Sequence, residues 1–103
     1  MAWVHLRGGQ NVTFRAAGKE FPAQVGTPLL RTDVLAVPAG EFVVVKLRNG
    51  YVVKIDEDTT LTVSGIVSLD APPTTESLTS QLDRVLTREE RGRAERIAAT
   101  QAR

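Results

Sequence analysis

Apolar positions in the first seventy residues fall in short runs, each cut off by glycine, proline or a polar pair. Trp3–Arg7 alternates loosely until Gly8-Gly9 breaks it, and Asn11–Arg15 runs up to Ala17-Gly18. Lys19–Val25 carries Pro22, which has no ladder donor and therefore predicts an edge or bulged strand. Gly26-Thr27-Pro28 is a turn, Leu29–Val37 a short strand or strand pair around Asp33, and Pro38-Ala39-Gly40 a further turn. Glu41–Asp56 then reads as two β-rich runs flanking Asn49-Gly50. Leu61–Val63 and Ile66–Leu69 close the series as strands. Many short strands with a turn signal every few residues predict a small antiparallel β-sandwich or barrel, all-β up to its C-terminal helix.

The periodicity changes at Ala71-Pro72-Pro73. Leu78, Leu82, Val85 and Leu86 form one helical stripe, which predicts a helix over Thr75–Leu86, N-capped by Thr74 or Thr75. Thr87-Arg88-Glu89-Glu90 is a capping-box pattern that restarts the helix. Seven of the nine residues Arg88–Arg96 are charged, with opposite charges paired at Glu89/Arg93 and Arg91/Glu95. Arg88–Thr100 is thus predicted as a solvated helix, fraying or leading elsewhere. Two units follow, a β domain over 1–73 and a helical extension over 74–103.

Asn49-Gly50 suits a two-residue hairpin turn, in which both central residues take positive φ. That turn sets Leu47 opposite Val52 and Val44 opposite Ile55. One face then carries Val43, Val45, Leu47, Val52, Lys54 and Asp56. The other carries Phe42, Val44, Lys46, Val53, Ile55 and Glu57, with Arg48 and Tyr51 near the turn. Neither face is polar, so both require cover. On one reading the second face lies under the C-terminal helix or a packed sheet. On the other it is an intermolecular surface, with Phe42, Val44, Arg48, Tyr51, Val53 and Ile55 as the protein-binding residues.

Composition narrows the chemistry. The chain has 103 residues, 13 basic and 12 acidic, and a net charge of +1, which provides no electrostatic footprint for nucleic acid. The arginines at 88, 91, 93 and 96 are largely offset by Glu89, Glu90 and Glu95. Lack of cysteine rules out disulfides, thiolate metal sites and cysteine nucleophiles. No run approaches the roughly 18 apolar residues of a membrane span. Met1–Gly9 lacks the basic start and apolar centre of a signal peptide. A native start at Met1 implies the cytosol; an excised start implies a removed leader or anchor and an envelope location.

His5, the only histidine, lies on a strand on the side of Trp3 and Arg7 and reads as a surface or packing residue. Trp3, the only tryptophan, reads as core. Asp56-Glu57-Asp58 offers oxygen ligands without the spacing of a calcium loop, and reads as an exposed turn. Gly8-Gly9 is a turn rather than a phosphate loop, since no Gly-Lys-Ser/Thr follows it. No Gly-x-Ser-x-Gly elbow is present. No metal, cofactor or catalytic residue is expected.

The order Gly26-Thr27-Pro28-Leu29, Asp33, Val37-Pro38-Ala39-Gly40, Val43–Gly50, Val52–Ile55 and Thr59–Val63 resembles the FecR-like domain family over a little more than half the chain. The resemblance implies a non-catalytic domain of short β-strands used in envelope signalling. The best-known members are periplasmic regulators that relay a receptor signal to a sigma factor. Residues 1–103 hold neither the cytosolic regulatory region nor the transmembrane segment of those regulators, and they add a charged helix. The expectation is a non-enzymatic protein-binding or sensing module of a bacterial envelope protein. The alternative is a cytosolic, self-assembling homo-oligomeric scaffold. An enzyme with an unusual carboxylate pair stands third.

Overall fold

The short runs assemble into two antiparallel sheets of four strands. The structure, a computed structural model, describes residues 2–101; Met1 and the last two residues of the 74–103 extension lie outside the described residues. The strands are β1 (Ala2–Arg7), β2 (Thr13–Ala16), β3 (Lys19–Pro22), β4 (Pro28–Leu29), β5 (Val34–Val37), β6 (Val43–Leu47), β7 (Val52–Ile55) and β8 (Thr59–Thr62). One sheet has the order β4-β1-β6-β7 and the other β3-β2-β5-β8. The proline-bearing β3 lies at a sheet edge, where a missing ladder donor costs nothing. The inner faces share one core. Ala2, Val4, Val43, Val45, Leu47 and Ile55 from the first sheet meet Leu35 and Val37 from the second, with Val12, Leu29, Val63 and Ile66 filling the ends.

The central hairpin differs from its predicted register by one residue. Val43 pairs with Ile55, Val44 with Lys54, Val45 with Val53 and Lys46 with Val52. The Leu47 N–H donates to the Tyr51 carbonyl at 2.8 Å, and the Gly50 N–H to the Leu47 carbonyl at 3.0 Å. Only Gly50 takes positive φ here, at +91°, so the connection is a three-residue loop with a left-handed glycine rather than a two-residue turn. The physical reason is the charge on β7. The two-residue register would turn Lys54 and Asp56 toward the sandwich core, and burying such charges costs several kcal/mol each. The observed register sends Tyr51, Val53 and Ile55 inward and leaves Lys54 outside. A two-residue turn with both φ positive does occur, at Ala17 (+53°) and Gly18 (+78°), joining β2 to β3.

The all-β expectation is overturned at the C-terminus. About 28% of the chain is helical and 33% is strand. Two antiparallel sheets facing each other remain from the predicted sandwich, but two packed helices follow them. Ile66–Leu69 is not a strand. The segment after β8 forms two 3-10 turns, Val63–Gly65 and Val67–Asp70, with Val63 and Ile66 buried as plugs of the core. Helix α1 (Leu78–Val85) is shorter than predicted and is capped by Ser77, whose side chain accepts from the Ser80 N–H. Helix α2 (Arg88–Gln101) starts at the predicted capping box. The Thr87 hydroxyl accepts from the Glu90 N–H at 3.1 Å, and the Glu90 carboxylate accepts from the Thr87 N–H at 3.0 Å.

Far from projecting into solvent, α2 docks. It lies across β1 while α1 lies against β7. Leu82, Leu86 and Ala94 join Phe42, Val44 and Val52 in a second core on the outer face of the first sheet, with Leu6, Leu78 and Val85 at its margin. Of the two predicted pairs in α2, Arg91 meets Glu95 at 3.9 Å, whereas Arg93 donates to the Gly40 carbonyl at 3.2 Å. Arg91 is also paired with Asp83 of α1. Gly8 is required by this layer: a Cβ there would lie 2.0 Å from the Phe42 ring.

Candidate binding site

The six hairpin residues expected to form one binding face are divided by the observed register. Phe42 and Val44 are buried under the helices, at 3% and 0% exposure. Tyr51, Val53 and Ile55 turn the other way, toward the core between the sheets. Arg48 alone stands exposed, in a cleft shared with Arg31, Asn49, Leu69 and Pro73, where Arg31 is already paired with Asp70. These residues therefore provide no common surface. Asn49 works as an anchor instead. Its side-chain amide donates to the carbonyls of Ser68 and Ala71, both at 2.9 Å, and its backbone carbonyl accepts from the Thr74 N–H at 3.1 Å.

A different set converges at the β4 side of the first sheet. The β1–β6 register shifts between Val4 and Leu6, so His5 sits on a bulge while Trp3 lies opposite Lys46. The segment before β4 runs alongside. The Val4 N–H donates to the Thr27 carbonyl at 2.9 Å, and the Gly26 N–H to the Val4 carbonyl at 2.7 Å. Gly26 takes φ +90°, the conformation its turn requires. Together Trp3, Val4, His5, Val25, Gly26 and Lys46 line an open cleft of about 290 Å³. That is close to the lower end of the range for small-ligand pockets, about 300–1,000 Å³.

The cleft has a definite electrostatic character. Burial pushes the His5 imidazole below its usual value, and the neighbouring Lys46 charge pushes it further the same way, which favours the neutral ring. Lys46 has no ion-pair partner among the described residues. The site thus combines an indole face, an aliphatic wall, a neutral imidazole and an uncompensated ammonium. Trp3, expected in the core, is instead partly exposed in this cleft. His5 does share a side with Trp3, but the bulge turns Arg7 inward, where its Nη1 reaches the Ala23 carbonyl at 3.4 Å. Nothing in the sequence pattern joined Lys46, Val25 and Gly26 to Trp3 and His5, because strand pairing and the β1 bulge do so. The one available signal was the shared parity of Trp3 and His5.

The acidic run Asp56-Glu57-Asp58 lies in the exposed β7–β8 turn, with Asp58 at φ +56°. Asp56 faces Lys54 at 3.4 Å. Among the described residues no group of three or more His, Asp or Glu side chains is placed to hold a metal ion. None of the described helices is long and apolar enough to cross a membrane. No protein-family model matches the chain, and neither curated proteins nor solved structures provide a match.

Proposed function

We propose that this chain is a non-enzymatic, FecR-like β domain that binds a protein partner in a bacterial envelope signalling system. The carrying observation is the Trp3–His5–Lys46 cleft, where the only tryptophan and the only histidine are held half open at a strand bulge. Tryptophan in such a position is the residue type most enriched at binding hot spots. The imidazole shares the cleft with an indole and an ammonium, a set suited to gripping a group rather than transforming one. The motif residues behind the resemblance lie at turns of the sandwich. Gly26, Gly40 and Gly50 all take left-handed φ at turns, and the buried Asp33 carboxylate accepts from the Leu30 N–H at 2.9 Å. The scaffold alternative rests on a two-faced apolar hairpin and a protruding charged helix, whereas α1 and α2 pack over Phe42, Val44 and Val52.

A photo-crosslinking residue in place of Trp3, carried by the full chain in its host cells, tests the reading. It should produce one discrete adduct with an envelope protein. The same residue in place of Thr60, on the far face of the second sheet, should produce none. Equal adducts from both positions, or none from position 3, would refute it.

A further inference from the structure

We infer that the Trp3–His5–Lys46 cleft takes the C-terminal residue of the partner chain, an apolar side chain with its free carboxylate. The inference rests on the binding-module reading and specifies its chemistry. The volume of about 290 Å³ admits one residue-sized group. The space over Gly26 is open, since a Cβ there would meet nothing within 4 Å, so a bound group can lie against the turn at that point. Trp3 and Val25 provide apolar walls. Lys46 supplies a positive charge with no carboxylate of the described residues within ion-pair distance, and it is the one ammonium lining this cleft. An ammonium beside an apolar wall complements an anion attached directly to an apolar body. A terminal residue brings both in one unit, whereas an internal Asp or Glu brings the charge without the apolar body. Neutral His5 adds a donor and an acceptor at the same wall.

The chain contains one tryptophan and one histidine, so both probes report on this cleft without ambiguity. Acetyl-Ala-Ala-Phe with a free carboxylate is titrated against its C-terminal amide and against 3-phenylpropionate, following Trp3 fluorescence. The acid peptide should saturate with a Kd below about 1 mM, and the amide should bind about tenfold more weakly, the loss expected for one charge-assisted contact. Lys46→Gln should weaken the acid about tenfold and leave the amide unchanged. Saturation with the acid should raise the His5 pKa, read by NMR, because a carboxylate favours the imidazolium. Equal binding of acid and amide overturns the inference, as does absence of saturation. Binding of 3-phenylpropionate as tight as that of the peptide also overturns it, in favour of a small-molecule site. If the acid preference fails while the position-3 crosslink persists, the binding-module reading survives alone; loss of both removes both.

Discussion

Gln81 is 1% exposed, and its amide is fully engaged. Its carbonyl accepts from the Val52 N–H at 2.9 Å, and its NH2 donates to the carbonyls of Gly50 at 2.8 Å and Glu76 at 3.3 Å. One side chain thus satisfies the open edge of β7 as a neighbouring strand would, and blocks that edge from pairing with another chain. Removing it leaves a buried donor and a carbonyl without partners, each costing about 1–3 kcal/mol. Gln81→Ala should therefore destabilise the fold by about 3 kcal/mol, lowering Tm by more than about 10 °C in a thermal melt. A loss below about 1 kcal/mol would show that water replaces the amide at no cost. The residue was invisible as a site in the sequence, where it reads as one polar position at the edge of the α1 stripe, three residues after Leu78 and four before Val85.

At the scale of elements, α2 shows how a charged helix can be docked by few contacts. Ala94 is its buried apolar residue, and Glu90 ties its first turn to the sheet through Lys54 at 2.7 Å. Lys54 also stands over the Phe42 ring, 5.4 Å from its centroid. Both partners are mostly buried, at 21% and 23% side-chain exposure, so the pair is shielded more than a surface ion pair. The Lys54 hydrogen bond and the Thr87 amide hold the Glu90 carboxyl below its usual value of 4.5, and Glu90 in turn raises Lys54 above 10.5. The unfolded chain binds the Glu90 proton more readily, so this stabilisation is complete above about pH 4.5 and fades as pH falls through the lower, folded value. At the alkaline end it is present below about pH 10.5 and fades as pH rises through the raised Lys54 value. Glu90→Gln should cost about 1–2 kcal/mol at pH 7, and urea denaturation should show that difference shrinking toward zero in strong acid. A pH-independent difference would show that neither the Lys54 pair nor the Thr87 contact draws its strength from the Glu90 charge.

At the scale of the molecule, the chain forms three layers: helices, the β4-β1-β6-β7 sheet, and the β3-β2-β5-β8 sheet. The middle layer is apolar on both faces, which explains why β6 reads as a continuous Val-Val-Val run rather than an alternating one. Ending the chain at Pro73 would uncover Phe42, Val44 and Val52 together. Such a truncation should self-associate or lose its fold, and light scattering should detect species larger than a monomer at micromolar concentration. A folded monomer would show that the helices contribute little to covering the sheet.

The sequence by itself determined the alternating strands, the edge role of β3, the α1 stripe and the capping box, because each depends on neighbours a few residues apart. It also contained the grounds for the hairpin register, since Lys54 and Asp56 do not belong on a core face. Turn preference pointed the other way, and the burial of two charges outweighs it. Only the tertiary structure decided which face of the hairpin each helix would cover, that Ile66–Leu69 would coil into 3-10 turns, and that Lys46 would join Trp3 and His5. Those outcomes depend on contacts between residues tens of positions apart, and on a bulge that reverses the side-chain parity of β1. A local pattern carries no record of either.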